Sequence, residues 1–142
     1  MLVLRPFERE LDPPGHLVVV REMTVTLGLR QRPEPDVLLV KESAARRISL
    51  TTFEPEDVHL VVEVVSEDSR DRDRTTRPGK YASAGIRQFW RVELEDDQPV
   101  VHTFELEPAV KAYVPTGIHR GRLRTDIGFP VDIDLDLDKI RR

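Results

Sequence analysis

The chain has no cysteine. That excludes a disulfide framework, a thiolate nucleophile and any cysteine-based zinc site, and it agrees with a reducing compartment. No run approaches the roughly 18 apolar residues that a membrane helix needs. The opening MLVLRPFERELDPPG lacks the basic flank, apolar block and small-residue cleavage site of a secretory signal. These absences read as a soluble, cytoplasmic protein with no membrane partner. There is no glycine-rich phosphate loop and no dinucleotide fingerprint. His16, His59, His102 and His119 are dispersed and lack zinc-ligand spacing. Ser66 has none of the flanking glycines of a nucleophile elbow. The formal net charge is −4, so any contact with nucleic acid must rest on a local basic patch.

What is present is the composition of a globular protein, 39% hydrophobic and 34% charged over 142 residues. That length fits a single domain spanning 1–142, large enough to bury a core without staples. Residues 2–11 read as a short helix stopped by DPPG. Residues 16–29 are β-branched and largely alternating, and predict one long or two short strands. DVLLV at 36–40 is a short apolar strand, and 41–57 is a loop with at most a helical turn. VHLVVEVVS at 58–66 is apolar on both faces, hence a central strand covered on both sides. The charged stretch after it predicts a loop. A helix should then begin at Thr75 or Thr76, with Pro78 in its first turn and Gly85 just past its end. RQFWRVEL, the turn DDQP and VVHTFELE predict a hairpin in which Phe89 and Trp90 are core residues. AYV and 122–137 add short edge elements. The order predicts a mixed α/β (α+β) fold with a single main sheet, one main helix after the central strand and C-terminal antiparallel strands.

The informative feature is Glu63, a carboxylate inside the most apolar strand. Burying it costs several kcal/mol unless something pairs with it. Asp36 stands at the head of the preceding apolar strand. If the two strands are neighbours, the carboxylates converge and require a countercharge. One solution is a hard divalent cation, Mg²⁺ or Mn²⁺. The other is an arginine paired with Glu63, with Asp36 capping a turn. The segment after Glu63 carries Arg70, Arg72, Arg74, Arg77 and Lys80. Such a run is ordinarily a solvated face, yet Arg77, Lys80, Tyr81 and Ala84 fall at i, i+3, i+4 and i+7, hence on one helical face. A helix docked through Tyr81 and Ala84 would bring a cation toward Glu63. VDIDLDLD at 131–138 places Asp132, Asp134, Asp136 and Asp138 on one face of a strand. It reads as an edge strand protected by its own charge, or as a calcium site lacking the glycine turn of a loop site.

At these residues the sequence resembles the Uma-type restriction endonuclease family, within the restriction-endonuclease-like PD-(D/E)XK superfamily. The resemblance rests on RPEPDVLLV and on HLVVEVVSEDSRDRDRTTRPGKYASAGIRQFWRVE, from about Arg32 to Glu93. It implies that Asp36 and Glu63 are metal ligands, joined by the main-chain carbonyl of Val64, with Mg²⁺ (or Mn²⁺) as cofactor. It implies hydrolysis of DNA phosphodiester bonds, with Arg70, Arg72 and Arg74 on backbone phosphates. Two departures accompany it. The superfamily lysine that usually stands two residues after the acid is Val65 here. The position on the following helix, four residues before the tyrosine, is Arg77. Arginine cannot act as a base but can neutralise charge on a phosphate, and Lys80 lies about 60° around the helix. Residues 1–15 are also too short for the family's N-terminal helix and strand, which reads as a shortened relative or a start assigned downstream. The sequence therefore supports a metal-dependent endonuclease with Asp36, Glu63, Arg77 and Lys80 as its catalytic set. It also supports a catalytically impaired relative acting as a nucleic-acid-binding module, or as a homodimer that binds other proteins.

Overall fold

The computed structural model describes residues 4–28, 30–47, 52–65 and 70–136, and the side chains within them except those of Arg5 and 70–76. Helix α1 (Arg5–Arg9) carries a proline in its first turn, where the missing N–H costs nothing. It buries Leu4, Phe7 and Leu11. The alternating stretch after it forms two short strands, β1 (Leu17–Arg21) and β2 (Thr24–Val25). The chain turns between them at Glu22, whose φ is 52°. Strand β3 (Val37–Lys41) follows, then the one-turn helix α2 (Glu42–Ala45). The rest of the predicted loop contains the two-residue strand β4 (Thr52–Phe53), which pairs in parallel with β2, and a 3₁₀ turn at Pro55–Asp57. Phe53 anchors that pairing in the core at 1% exposure. Composition alone gave no period from which to read it.

Strand β5 (Val58–Val64) is the predicted central strand. Helix α3 (Arg70–Ser83) leads from it to β6 (Gln88–Glu95). The helix begins well before the expected Thr75 or Thr76, so Pro78 lies inside it rather than in its first turn. The charged stretch 70–74 is helical because the docked C-terminal half of α3 extends a helix already nucleated there, and propagation is easy once a turn exists. Gly85, with φ 88°, ends it as expected. The Gly85 N–H donates to Ala82 O and that of Ile86 to Tyr81 O, the paired bonds of a Schellman cap.

The hairpin of β6 and β7 (Gln98–Glu107) turns through Asp96 and Asp97, both with positive φ, as a two-residue type I′ turn requires. Where AYV predicted a short element, β8 (Ala112–Arg120) is nine residues long and pairs along β7. Pro115 is tolerated because β8 is an edge strand. Strands β9 (Arg122–Asp126) and β10 (Pro130–Asp134) form a separate hairpin.

The main sheet has six strands in the order β1-β3-β5-β6-β7-β8. Only β5 and β6 in it pair in parallel, bridged by α3. One face packs Phe7, Trp90, Leu123 and Ile133 beneath α1 and the β9–β10 hairpin. The other packs Leu38, Val61, Phe89 and Ile86 beneath Tyr81 of α3. Phe89 and Trp90 are both fully buried, on opposite faces, as core residues. In β10 the alternation of VDID buries Val131 and Ile133, while Asp132 is exposed and paired with Arg122 at 2.5 Å. Asp138 and Ser66 lie outside the described residues.

Candidate functional site

Antiparallel pairing of β3 with β5 sets Val37 opposite Val62. Asp36 is one step beyond that pair, across from Glu63. The Asp36 backbone is held from β1, where the Glu22 N–H donates to Asp36 O at 3.2 Å. Its carboxylate is held from β5, where the Val64 N–H donates to Asp36 Oδ2 at 2.7 Å. The two residues therefore stand across from each other near one end of adjacent strands, which is the neighbour relation that their convergence requires.

Glu63 is 2% exposed and points to the α3 face, two residues beyond Val61. Tyr81 Oη donates to Glu63 Oε1 at 2.6 Å, and Arg77 Nη1 donates to the same oxygen at 3.3 Å. Residues 77 and 81 are one helical turn apart, so both reach the strand from the same side. Burial, and then the Glu63 carboxylate, push the Tyr81 hydroxyl well above the usual tyrosine range. It is therefore a committed donor. Lys80 is exposed and lines a neighbouring cleft together with Arg77 and Tyr81. Of the two candidate cations, the structure brings Arg77 to the carboxylate.

Val65 is buried at 7% exposure and its N–H donates to Val92 O at 2.8 Å. The position thus contributes packing and carries no charge. Arg70, Arg72 and Arg74 lie in the first turns of α3, and their side chains fall outside the described ones. Asp36 and Glu63 offer hard oxygen donors only. Among the described residues no group of three or more His, Asp or Glu side chains gathers at a cation site. A cation at this pair would therefore depend on two carboxylates, main-chain oxygen and retained water, a donor set that fits Mg²⁺ better than a softer metal.

Two features escaped the sequence reading. The first continues the row of charge across the sheet, since Glu63 pairs with Arg91 and Arg91 with His102. His102 Nε2 lies 2.9 Å from Glu93 Oε2, and Arg91 sits over the Phe104 ring at 5.3 Å. The available signal was Arg91 and Glu93 at i and i+2, hence on one face of β6. The second is a cleft of about 290 Å³ beside Tyr81, lined by Arg30, Arg32, Arg77 and Lys80 with Leu27. In sequence Arg30 and Arg32 belong to the short polar, proline-rich connection RQRPEP. Nothing local reveals that this connection folds back against α3.

A family model named Uma2 and described as "Putative restriction endonuclease" matches residues 2–138. A solved structure described as a "putative nuclease belonging to DUF820" from Anabaena variabilis superposes with a TM-score of 0.56 at 14% identity. The match covers 87% of this chain and 63% of that one, so this chain spans less than two thirds of its neighbour's length. At that identity the likeness establishes the fold. No curated protein matches the sequence.

Proposed function

The chain belongs to the Uma2 family, and from that premise we propose that it hydrolyses DNA phosphodiester bonds with the help of Mg²⁺ or Mn²⁺. The observation that carries the proposal is the meeting of Asp36 and Glu63 at the ends of adjacent strands, with Asp36 tied to the Val64 N–H. Asp36, Glu63 and the Val64 carbonyl would hold the cation. When bound, it supplies charge stabilisation at the phosphoryl oxygens and a water of lowered pKa. Tyr81 fixes the Glu63 carboxylate by its 2.6 Å bond, which limits the rotamers open to the acid. Arg77 serves Glu63 as countercharge, at 3.3 Å. With substrate present it turns to the scissile phosphate, where its fixed charge offsets the extra negative charge of the transition state. It cannot take a proton from water. Lys80 and Arg70, Arg72 and Arg74 contact backbone phosphates, which position DNA without reading its sequence. A cytoplasmic location accompanies this activity.

The Arg77–Glu63 pair also favours a second reading. A carboxylate already neutralised by arginine has less need of a metal, which suits a nuclease-fold module that binds nucleic acid or dimerises without cleaving. The two readings separate on one experiment. Nicking of supercoiled plasmid should require Mg²⁺ or Mn²⁺ and fall by about 10²-fold or more in Glu63→Gln. The cation should raise the unfolding temperature of the wild type and not of Asp36→Asn, because ligand bound to the native state stabilises it. No cleavage and no cation effect on stability would leave the module as the surviving reading.

A further inference from the structure

The loop between β2 and β3 carries Arg30 and Arg32 four to six residues before Asp36. It folds as a tight hairpin, with the Leu27 N–H donating to Gln31 O at 2.8 Å and the Gln31 N–H to Gly28 O at 3.2 Å. The Val25 N–H donates to Pro33 O at 2.9 Å, and Pro33 and Pro35 limit φ on the way into Asp36. The hairpin is thus a positioned element that faces α3 across the cleft of about 290 Å³.

Four cations from two elements, Arg30, Arg32, Arg77 and Lys80, line that cleft, and no carboxylate does so among the described residues. Arg77 is engaged with Glu63. Arg30, Arg32 and Lys80 are exposed, with no carboxylate in ion-pair contact among the described residues. This concentration of one sign runs against a chain whose net charge is −4. Converging like charges repel, and an anion seated among them relieves that repulsion.

We propose that the Arg30–Arg32 hairpin and Lys80 clamp consecutive backbone phosphates of a nucleic acid strand next to the Asp36–Glu63 pair. The occupant is a polyanion, not a single phosphate, because the free cations are spread over both walls and one phosphodiester carries a single charge. Arginine forks suit phosphate oxygens, which they grip through two N–H donors at once. Leu27 and Tyr81 give the cleft apolar surface against which a sugar packs. The hairpin is joined to Asp36 through the Pro-Glu-Pro link, so a strand held there lies beside the carboxylates. The inference rests on the nuclease reading for its placement, but its test does not require cleavage.

The test is binding of a fluorescent DNA oligonucleotide in EDTA, followed by polarisation as salt rises from about 50 to 200 mM. Wild-type affinity should fall linearly on a log–log plot, and the slope in Arg30→Gln/Arg32→Gln should be shallower by about 1.8, two phosphate contacts at roughly 0.9 each. Lys111→Gln, a cation outside the cleft, should bind as the wild type does. Inorganic phosphate at matched ionic strength should not displace the DNA, and displacement would point to a single-phosphate site and overturn the clamp. An unchanged slope and affinity in the double variant, with its unfolding temperature unaltered, overturns the clamp even if the wild type cleaves plasmid. A shallower slope in a protein that never cleaves upholds the clamp while the nuclease reading fails.

Discussion

Glu63 illustrates how a single buried charge sets the chemistry of its neighbours. At 2% exposure it stands among apolar side chains, and its partners are a hydroxyl and a guanidinium one helical turn apart. The chain's two tyrosines, Tyr81 and Tyr113, both feel it. Burial first, and the Glu63 carboxylate second, raise each hydroxyl above the ordinary range. A group whose folded value is raised contributes stability that is fully present below its unfolded value, near 10 for tyrosine, and is lost as pH climbs through the folded value. An absorbance titration should therefore show no phenolate step at about pH 10 while the protein is folded. Phenolate should appear only together with alkaline unfolding followed by circular dichroism. A separate step in the folded protein would mean that one hydroxyl is not held as described. The sequence revealed Glu63 as an anomaly and left open whether a metal or an arginine answered it. The sequence contains an arginine and a lysine at neighbouring helical positions, and only the helix rotation selects Arg77.

At the scale of elements, α3 decides whether the site exists. Tyr81 and Arg77 reach Glu63 only while the helix is docked, and its C-terminal end is fastened by the cap at Gly85. The position has open space around it, so a methyl group meets no obstacle; the backbone angle alone resists substitution. Gly85→Ala should cost about 1 kcal/mol in denaturant unfolding, and Gly85→Asn clearly less, since asparagine tolerates the left-handed region better. Equal effects would mean that the cap does not depend on that angle. The start of the same helix was misplaced in the sequence reading. Pro78 and the threonines before it are good start signals, and they were overridden because 70–77 remained helical beyond the proline. Gly85, by contrast, was legible because a single residue type answers a single backbone requirement.

At the scale of the whole molecule, distant stretches of chain close one face of the sheet. Phe7 is fully buried and meets the Trp90 ring at 6.1 Å, and the Asp134 N–H donates to Glu10 Oε2 at 2.9 Å. Helix α1 is too short to persist alone; it is held by this burial. Phe7→Ala should destabilise the protein by about 3–5 kcal/mol, read from the emission of Trp90, the chain's one tryptophan. A change well below that range would mean that α1 does not complete the core. No helix among the described residues is long and apolar enough to cross a membrane, in line with the absence of a long apolar run.

By itself the sequence determined the central strand, the β6–β7 hairpin, the mixed α+β class and the two carboxylates. Those are local matters: periodicity, turn residues and an out-of-place charge are written within a few positions of one another. The tertiary structure alone decided which cation answers Glu63, how far β8 extends, and that Arg30 and Arg32 face α3 across one cleft. Each depends on residues far apart in the chain arriving at one place, which is governed by how the layers pack rather than by any pattern within a segment. Asp36 and Glu63 lie between these cases. Their residue types were legible in sequence, and their meeting was produced by the register of β3 on β5.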